Sequence, residues 1–208
     1  MSSGHPKDPG LVMGSSHPDY IVGIGGSAGG LNAFKSLLDA LPSNTGMAFV
    51  IVAHIYPTAH SQLANILSRH TKMSLAVAAS AMPVLADHVY VIPPNTDLFI
   101  ENYTLKLVSP RANRNVQVDL FFRSLAASMG ARAIGIVLSG YNGDGTEGCK
   151  QIKARGGTTF AQDMSAEVNL MPRHAEAAGC TDFVLSADKI SEKLTRMARA
   201  SRSKSKIA

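Results

Sequence analysis

The sequence predicts an α/β protein: a doubly wound, mostly parallel Rossmann-like sheet with helices on both faces and a small antiparallel hairpin. Three observations carry that expectation. From Tyr20 onward short β-branched runs alternate with helical stretches, and right-handed crossovers between such units place each helix against a parallel sheet. The chain has 208 residues, 45% of them hydrophobic and 17% charged, which suits one domain with its own core and excludes a disordered chain. Glycine-rich segments follow predicted strands at 23–30 and 139–148, where doubly wound sheets form their ligand crevice.

The elements follow in order. Residues 1–18 are rich in Ser, Gly, Pro and His without periodicity and read as a disordered leader or tag. The folded domain is expected over 19–200, with 201–208 as a basic disordered tail. Tyr20 to Ile24 reads as a strand, followed by a helix from about Gly30. Met47 to Ala53 is a second strand, and Ala59 to His70 a second helix. A strand is expected near His88 to Ile92, then the turn Pro93-Pro94-Asn95, and a hairpin over Leu98 to Leu107. Regular alternation then resumes: helix Val118 to Met129, strand Ala133 to Leu138, helix Asp144 to Arg155, strand Thr158 to Ala161, a short helix near Met171, strand Asp182 to Leu185, and a last helix from Ser186 or Ala187.

The formal charge is +5, yet seven basic residues (Lys189, Lys193, Arg196, Arg199, Arg202, Lys204, Lys206) fall in the last 20 positions with Glu192 as the one acid. The body of the domain is therefore near neutral, and no nucleic-acid partner is expected. No apolar run reaches the ~18 residues of a membrane span, so membrane insertion is not expected either. Cys149 and Cys180 have no metal-ligand spacing, and the N-terminus lacks the apolar core of a signal peptide. A cytoplasmic location follows as the plain expectation.

Three predicted strand ends carry chemistry. Ser27 lies in Gly25-Gly26-Ser27-Ala28-Gly29, which fits G-x-S-x-G, a tight strand-to-helix turn that presents a nucleophilic hydroxyl near backbone N–H groups. The same stretch fits G-x-G-x-x-A through Gly23, Gly25 and Ala28, a pyrophosphate cradle, and Ser27 could equally cap the following helix. His54 follows the second strand, where a dinucleotide site would have an acidic ribose ligand. A neutral imidazole suits general-base work instead. Asp144, in Ser139-Gly140-Tyr141-Asn142-Gly143-Asp144-Gly145, could orient that imidazole or cap its own helix. Its loop lacks the glycine and distant bidentate glutamate of a calcium loop. His60, His70, His88 and His174 read as ordinary structural histidines. The chain order Ser27, His54, Asp144 also differs from the Ser, Asp, His order of α/β-hydrolases.

Six motifs in this order resemble the catalytic domain of the chemotaxis protein-glutamate methylesterases (CheB): IVGIGGSAGG at 21–30, VIVAHIYP at 50–57, HVYVIPPN at 88–95, VDLFFRSLA at 118–126, AIGIVLSGYNGDGTEG at 133–148 and MPR at 171–173. The resemblance spans about Tyr20 to Leu185 and makes 19–200 the methylesterase catalytic domain. It implies a serine esterase that hydrolyses glutamate γ-methyl esters on methylated chemoreceptor helices and releases methanol, often with glutamine deamidation. By resemblance Ser27 is the nucleophile, His54 the base and Asp144 the orienting carboxylate, with no cofactor and no metal. Ala28 and Tyr141 match the oxyanion-hole positions, where the chemotaxis enzymes usually carry Thr and Met. Regulated members carry a receiver domain ahead of the esterase. Here about 19 residues precede the first strand, so a stand-alone form is implied, with a separate methyltransferase, sensor or receiver protein as partner. Arg173 and the basic tail are candidates for steering acidic receptor helices. Two other readings stay open on the residues alone: an interaction module that keeps the fold without turnover, and a dinucleotide-binding protein.

Overall fold

The computed structural model describes residues 17–55 and 62–205. Its elements are β1 (Ile21–Gly26), α1 (Gly30–Asp39), β2 (Ala48–Ala53), α2 (Leu63–Leu67) running on into a 3-10 turn at Ser68–His70, β3 (Ser74–Val77), β4 (His88–Val91), β5 (Asp97–Glu101), β6 (Thr104–Val108), α3 (Gln117–Met129), β7 (Ala133–Val137), α4 (Thr146–Ala154), β8 (Thr158–Gln162), α5 (Leu170–Ala177), β9 (Phe183–Leu185) and α6 (Ala187–Ser205). Seven strands form one sheet in the order β3-β4-β2-β1-β7-β8-β9, every neighbouring pair parallel. The second sheet is the antiparallel hairpin β5-β6. This is the doubly wound α/β architecture that the alternation predicts.

Side chains alternate across a strand, so each central strand feeds two cores. Ile21, Val50, Val52 and Val137 pack with Val118, Phe121, Phe122, Leu125, Cys149 and Ile152 of α3 and α4 and with Leu98, Ile100 and Leu105 of the hairpin. Val22, Ile24, Phe49, Ile51, Ile134 and Ile136 pack on the other face with Phe34, Leu37 and Leu38 of α1 and Ile190, Leu194 and Ala198 of α6. Fully burying each large apolar side chain is worth about 1.5–3 kcal/mol. That makes these two layers the main favourable term holding the helices to the sheet.

The central strands carry glycines on the face that α3 and α4 cover because these helices lie directly on them. A Cβ on Gly23 would sit 2.8 Å from Phe122 Cε1, and one on Gly135 2.7 Å from Ile152 Cδ1. One on Gly25 would run into the γ-carbons of Val118. Gly23 and Gly25 therefore make room for a helix, which accounts for the G-x-G spacing without a bound pyrophosphate. Gly25→Ala is expected to cost at least about 1–3 kcal/mol by overpacking. A urea midpoint that falls with an unchanged slope would show it, and an unchanged midpoint would contradict this packing.

Several boundaries differ from the sequence expectation. β3 was not foreseen: Ser74–Val77 is short, and its alternate residues are only half-buried or exposed. The helix expected over Ala59 to His70 is α2 plus the 3-10 turn, its first residues lying outside the described range. The last helix reaches Ser205, so 201–205 are helical instead of belonging to a disordered tail. Arg202 donates to the Asn44 carbonyl at 2.6 Å, which ties the end of this helix to the loop before β2. Of the expected leader, Pro18 is buried and the His17 ring lies 4.3 Å from that of Tyr103; the rest of it, like His60 and 206–208, lies outside the described residues. His70 and His88 are engaged structurally, with Asp39 Oδ2 at 2.9 Å and the Ala86 carbonyl at 2.8 Å. Among the described residues no helix is long and apolar enough to cross a membrane.

Candidate active site

Strand order decides where the three candidate residues meet. β2, β1 and β7 are adjacent at the centre of the sheet, and His54, Ser27 and Asp144 follow their carboxyl ends. Ser27 and His54 line one cavity of about 210 Å3, together with Ile55, Arg111, Arg114 and Asn115. His54 N–H donates to the Gly26 carbonyl at 3.3 Å, which holds the residue after β2 against the end of β1.

Local bonding explains each position. Ser27 N–H donates to the Ser139 carbonyl at 2.8 Å, and Gly30 N–H to the Ser27 carbonyl at 2.9 Å. Helix α1 starts from Gly29, a left-handed residue with φ 71°, and no side chain caps it. Ser27 is therefore not a helix cap, and its hydroxyl is left for the cavity. Gly140 approaches Ser27 so closely that a Cβ on it would lie 3.1 Å from Ser27 Cβ and 2.5 Å from Met171 Sδ. Buried Ser139 clasps three loops: its hydroxyl donates to the Ala28 carbonyl at 2.7 Å and accepts Val168 N–H at 3.0 Å.

Asp144 is not the cap of its own helix either. Helix α4 starts from Gly145, φ 94°, with no side-chain cap. The Asp144 carboxylate, fully buried at its side chain, instead accepts Val118 N–H at 3.0 Å and Asp119 N–H at 2.8 Å in the first turn of α3. It also accepts from His54 Nε2 at 2.6 Å. A helix N-terminus presents free N–H groups and the positive end of the helix dipole, so it suits a buried carboxylate. An acceptor-only carboxylate places the imidazole proton on Nε2 and leaves a lone pair on Nδ1. Nδ1 is buried and has no partner among the described residues.

The favour is returned across the helix pair. Asp119, in the first turn of α3, accepts Gly148 N–H at 2.7 Å in the first turn of α4. Burial pushes the Asp119 carboxyl up from its ordinary range, opposed by the bond from Gly148 and reinforced by the Asp144 charge. A carboxyl raised in the fold holds its proton more tightly folded than unfolded. Its contribution to stability is full below the ordinary carboxylate range and is lost as pH rises through the raised value. Asp119→Asn keeps an oxygen for Gly148 and removes that loss. It is expected to be at least as stable as wild type at pH 7, with the difference shrinking by about pH 4. Urea unfolding at the two pH values checks this; an equal destabilisation at both would refute it.

Ala28 and Tyr141, the candidate oxyanion positions, flank Ser27 and Gly140, and neither N–H has an acceptor among the described residues. The Tyr141 side chain is 65% exposed, so it forms rim instead of core. Arg173 is exposed on α5 and does not line the cavity. Arg196 and Arg199 border a different hollow, with Asp39 and Leu41 at the end of α1, on the amino edge of the sheet and away from Ser27. The arginines that do line the cavity, Arg111 and Arg114, were missed from sequence. Their signal was the segment Ser109-Pro110-Arg111-Ala112-Asn113-Arg114-Asn115 between hairpin and α3, with two bases and no acid.

Residues 22–194 match the family described as CheB methylesterase. The chain is 37% identical over 178 residues to a protein of Leptospira interrogans named, provisionally, a protein-glutamate methylesterase/protein-glutamine glutaminase, covering 84% of this chain and 92% of that one. It is 34% identical over 187 residues to the protein-glutamate methylesterase/protein-glutamine glutaminase of Hydrogenovibrio crunogenus, covering 86% of this chain and half of that longer relative. The crystal structure of the Thermotoga maritima CheB methylesterase catalytic domain superposes with a TM-score of 0.77 at 30% identity, over 86% of this chain and 98% of that one.

Proposed function

The chain belongs to the CheB methylesterase family, and on that premise we propose that it is a serine esterase hydrolysing glutamate γ-methyl esters on methylated chemoreceptor helices. The observation that carries the reading is the His54–Asp144 bond of 2.6 Å, which leaves the buried Nδ1 without a partner among the described residues, in a histidine that lines the same cavity as Ser27. A base needs an unprotonated nitrogen held in one orientation beside the nucleophile.

In the first half-reaction Ser27 Oγ attacks the ester carbonyl carbon while His54 Nδ1 takes the hydroxyl proton. The N–H groups of Ala28 and Tyr141 hold the oxyanion that forms; backbone donors survive the exchange of Thr and Met for these residues. The tetrahedral intermediate then collapses, the C–O bond to the methoxy group breaks, and Nδ1 returns its proton to the leaving methanol. In the second half water gives a proton to Nδ1 and attacks the acyl-enzyme, releasing the γ-carboxylate and restoring Ser27. Asp144 keeps the Nε2 proton in place and stabilises the imidazolium in both halves without being protonated itself. A glutamine side chain would form the same acyl-enzyme with ammonia leaving, in keeping with the second activity in its relatives' names. The residues use no metal or organic cofactor in any of these steps.

Methanol release from membranes carrying methylated chemoreceptors tests the reading. Release that scales with added protein is the expected outcome. Its absence, with the protein folded, would overturn the receptor-ester assignment.

A further inference from the structure

Resting on the esterase reading, we propose that Arg111 and Arg114 form a carboxylate-binding subsite beside Ser27, which selects ester side chains flanked by acidic residues. Arg111 and Arg114 line the cavity with Ser27 and His54, and among the described residues no Asp or Glu lines it. Arg111 donates through Nη1 to the Ile55 carbonyl at 3.3 Å, so it is braced against the residue after His54. Arg114 is exposed, and neither arginine pairs with a carboxylate among the described residues. The two nearby buried acids are already engaged. Asp144 serves His54 and α3, while Asp97, 2% exposed, accepts Ala112 N–H at 2.9 Å and Gln117 Nε2 at 2.9 Å.

Those bonds to Asp97 make the arginine-bearing segment a built strap. Arg111 N–H and Ser109 Oγ both donate to the Asn95 carbonyl, at 3.0 and 3.2 Å, and Gln117 Nε2 also reaches the Asn113 carbonyl at 2.8 Å. The strap is pinned at both ends and sets Arg111 and Arg114 in the lining of the cavity. Two uncompensated cations at the mouth of a catalytic cavity favour an anion there, and guanidinium forks fit carboxylates in particular. The scissile methyl ester is itself neutral. The anion must therefore come from the residues beside it.

The test uses two peptides that share one glutamate γ-methyl ester, flanked on both sides by Glu in one and by Gln in the other. At low salt the wild-type protein is expected to favour the Glu peptide in kcat/KM by about two- to fivefold, the range that an exposed charge pair contributes. Added salt should shrink the ratio. Arg114→Gln should bring it near one, and Arg114→Glu should turn the preference toward a Lys-flanked peptide, an inversion that a merely structural role would not produce. Equal cleavage of both peptides by the wild type, or a ratio unmoved in both variants, overturns the subsite and leaves the esterase standing. No cleavage of either peptide, together with no labelling of Ser27 by a phosphonate ester, overturns the esterase reading and the subsite with it.

Discussion

Ser27→Ala is expected to abolish methanol release, lowering kcat by about 10⁴-fold or more, the scale on which nucleophile loss acts in serine hydrolases. The fold should not register the change. The Ser27 hydroxyl has no partner among the described residues, its backbone N–H and carbonyl are what tie the turn to Ser139 and Gly30, and alanine keeps the Cβ that packs near Gly140. Thermal stability should stay within about 0.5 kcal/mol of wild type. The pair of measurements matters more than either alone: lost turnover with intact stability assigns the hydroxyl a chemical role. A loss below tenfold would remove Ser27 as nucleophile and shift the reading toward the binding module.

Asp144 is expected to fail in two ways at once. Asp144→Ala leaves His54 Nε2 without an acceptor and orphans two N–H groups at the start of α3, where cap loss costs about 0.5–2 kcal/mol. Activity should fall about 10³–10⁴-fold and the unfolding midpoint should drop with it. Asp144→Asn separates the effects. Its single oxygen cannot accept from Val118, Asp119 and His54 together, and its amide hydrogens face donors. If it satisfies the helix, His54 is offered an N–H and takes the other tautomer, with the proton on Nδ1 and no base toward Ser27. The amide variant should therefore lose nearly as much activity as alanine while keeping more of the stability. Equal activity in wild type and Asp144→Asn would show that the 2.6 Å bond is structural only.

The Asp144 case shows why the site was only partly legible. From sequence, an Asp directly before a helix looks like that helix's cap. In the structure Gly145 starts α4 and Asp144 caps α3, whose first turn lies 26 residues earlier in the chain. Capping is read locally, and this bond is not local. Ser27 gave the same kind of ambiguity, since nothing within its own loop says whether the hydroxyl faces α1 or a cavity. His54 was nominated because an imidazole replaces an acid at a strand end, a difference of residue type that needs no tertiary information.

Arg111 and Arg114 were overlooked for a related reason. Their segment has no periodicity, and only its anchoring by Asp97 and Asn95 turns a basic loop into a strap over the cavity. β3 was overlooked because a strand of four residues at the sheet edge, half-buried or exposed, carries little hydrophobic pattern. The G-x-G spacing was legible as small residues but not as to what approaches them, which is α3.

By itself the sequence determined the fold class and every element but the short edge strand β3, because hydrophobic period, turn residues and strand-end glycines act over a few neighbouring positions. It also determined which residue types stand at the ends of the strands. Tertiary structure alone decided that β2, β1 and β7 lie side by side, which helix Asp144 caps, and which arginines reach the cavity. Strand order and helix packing arise from contacts between distant parts of the chain, and no local pattern of residues encodes the partner of such a contact.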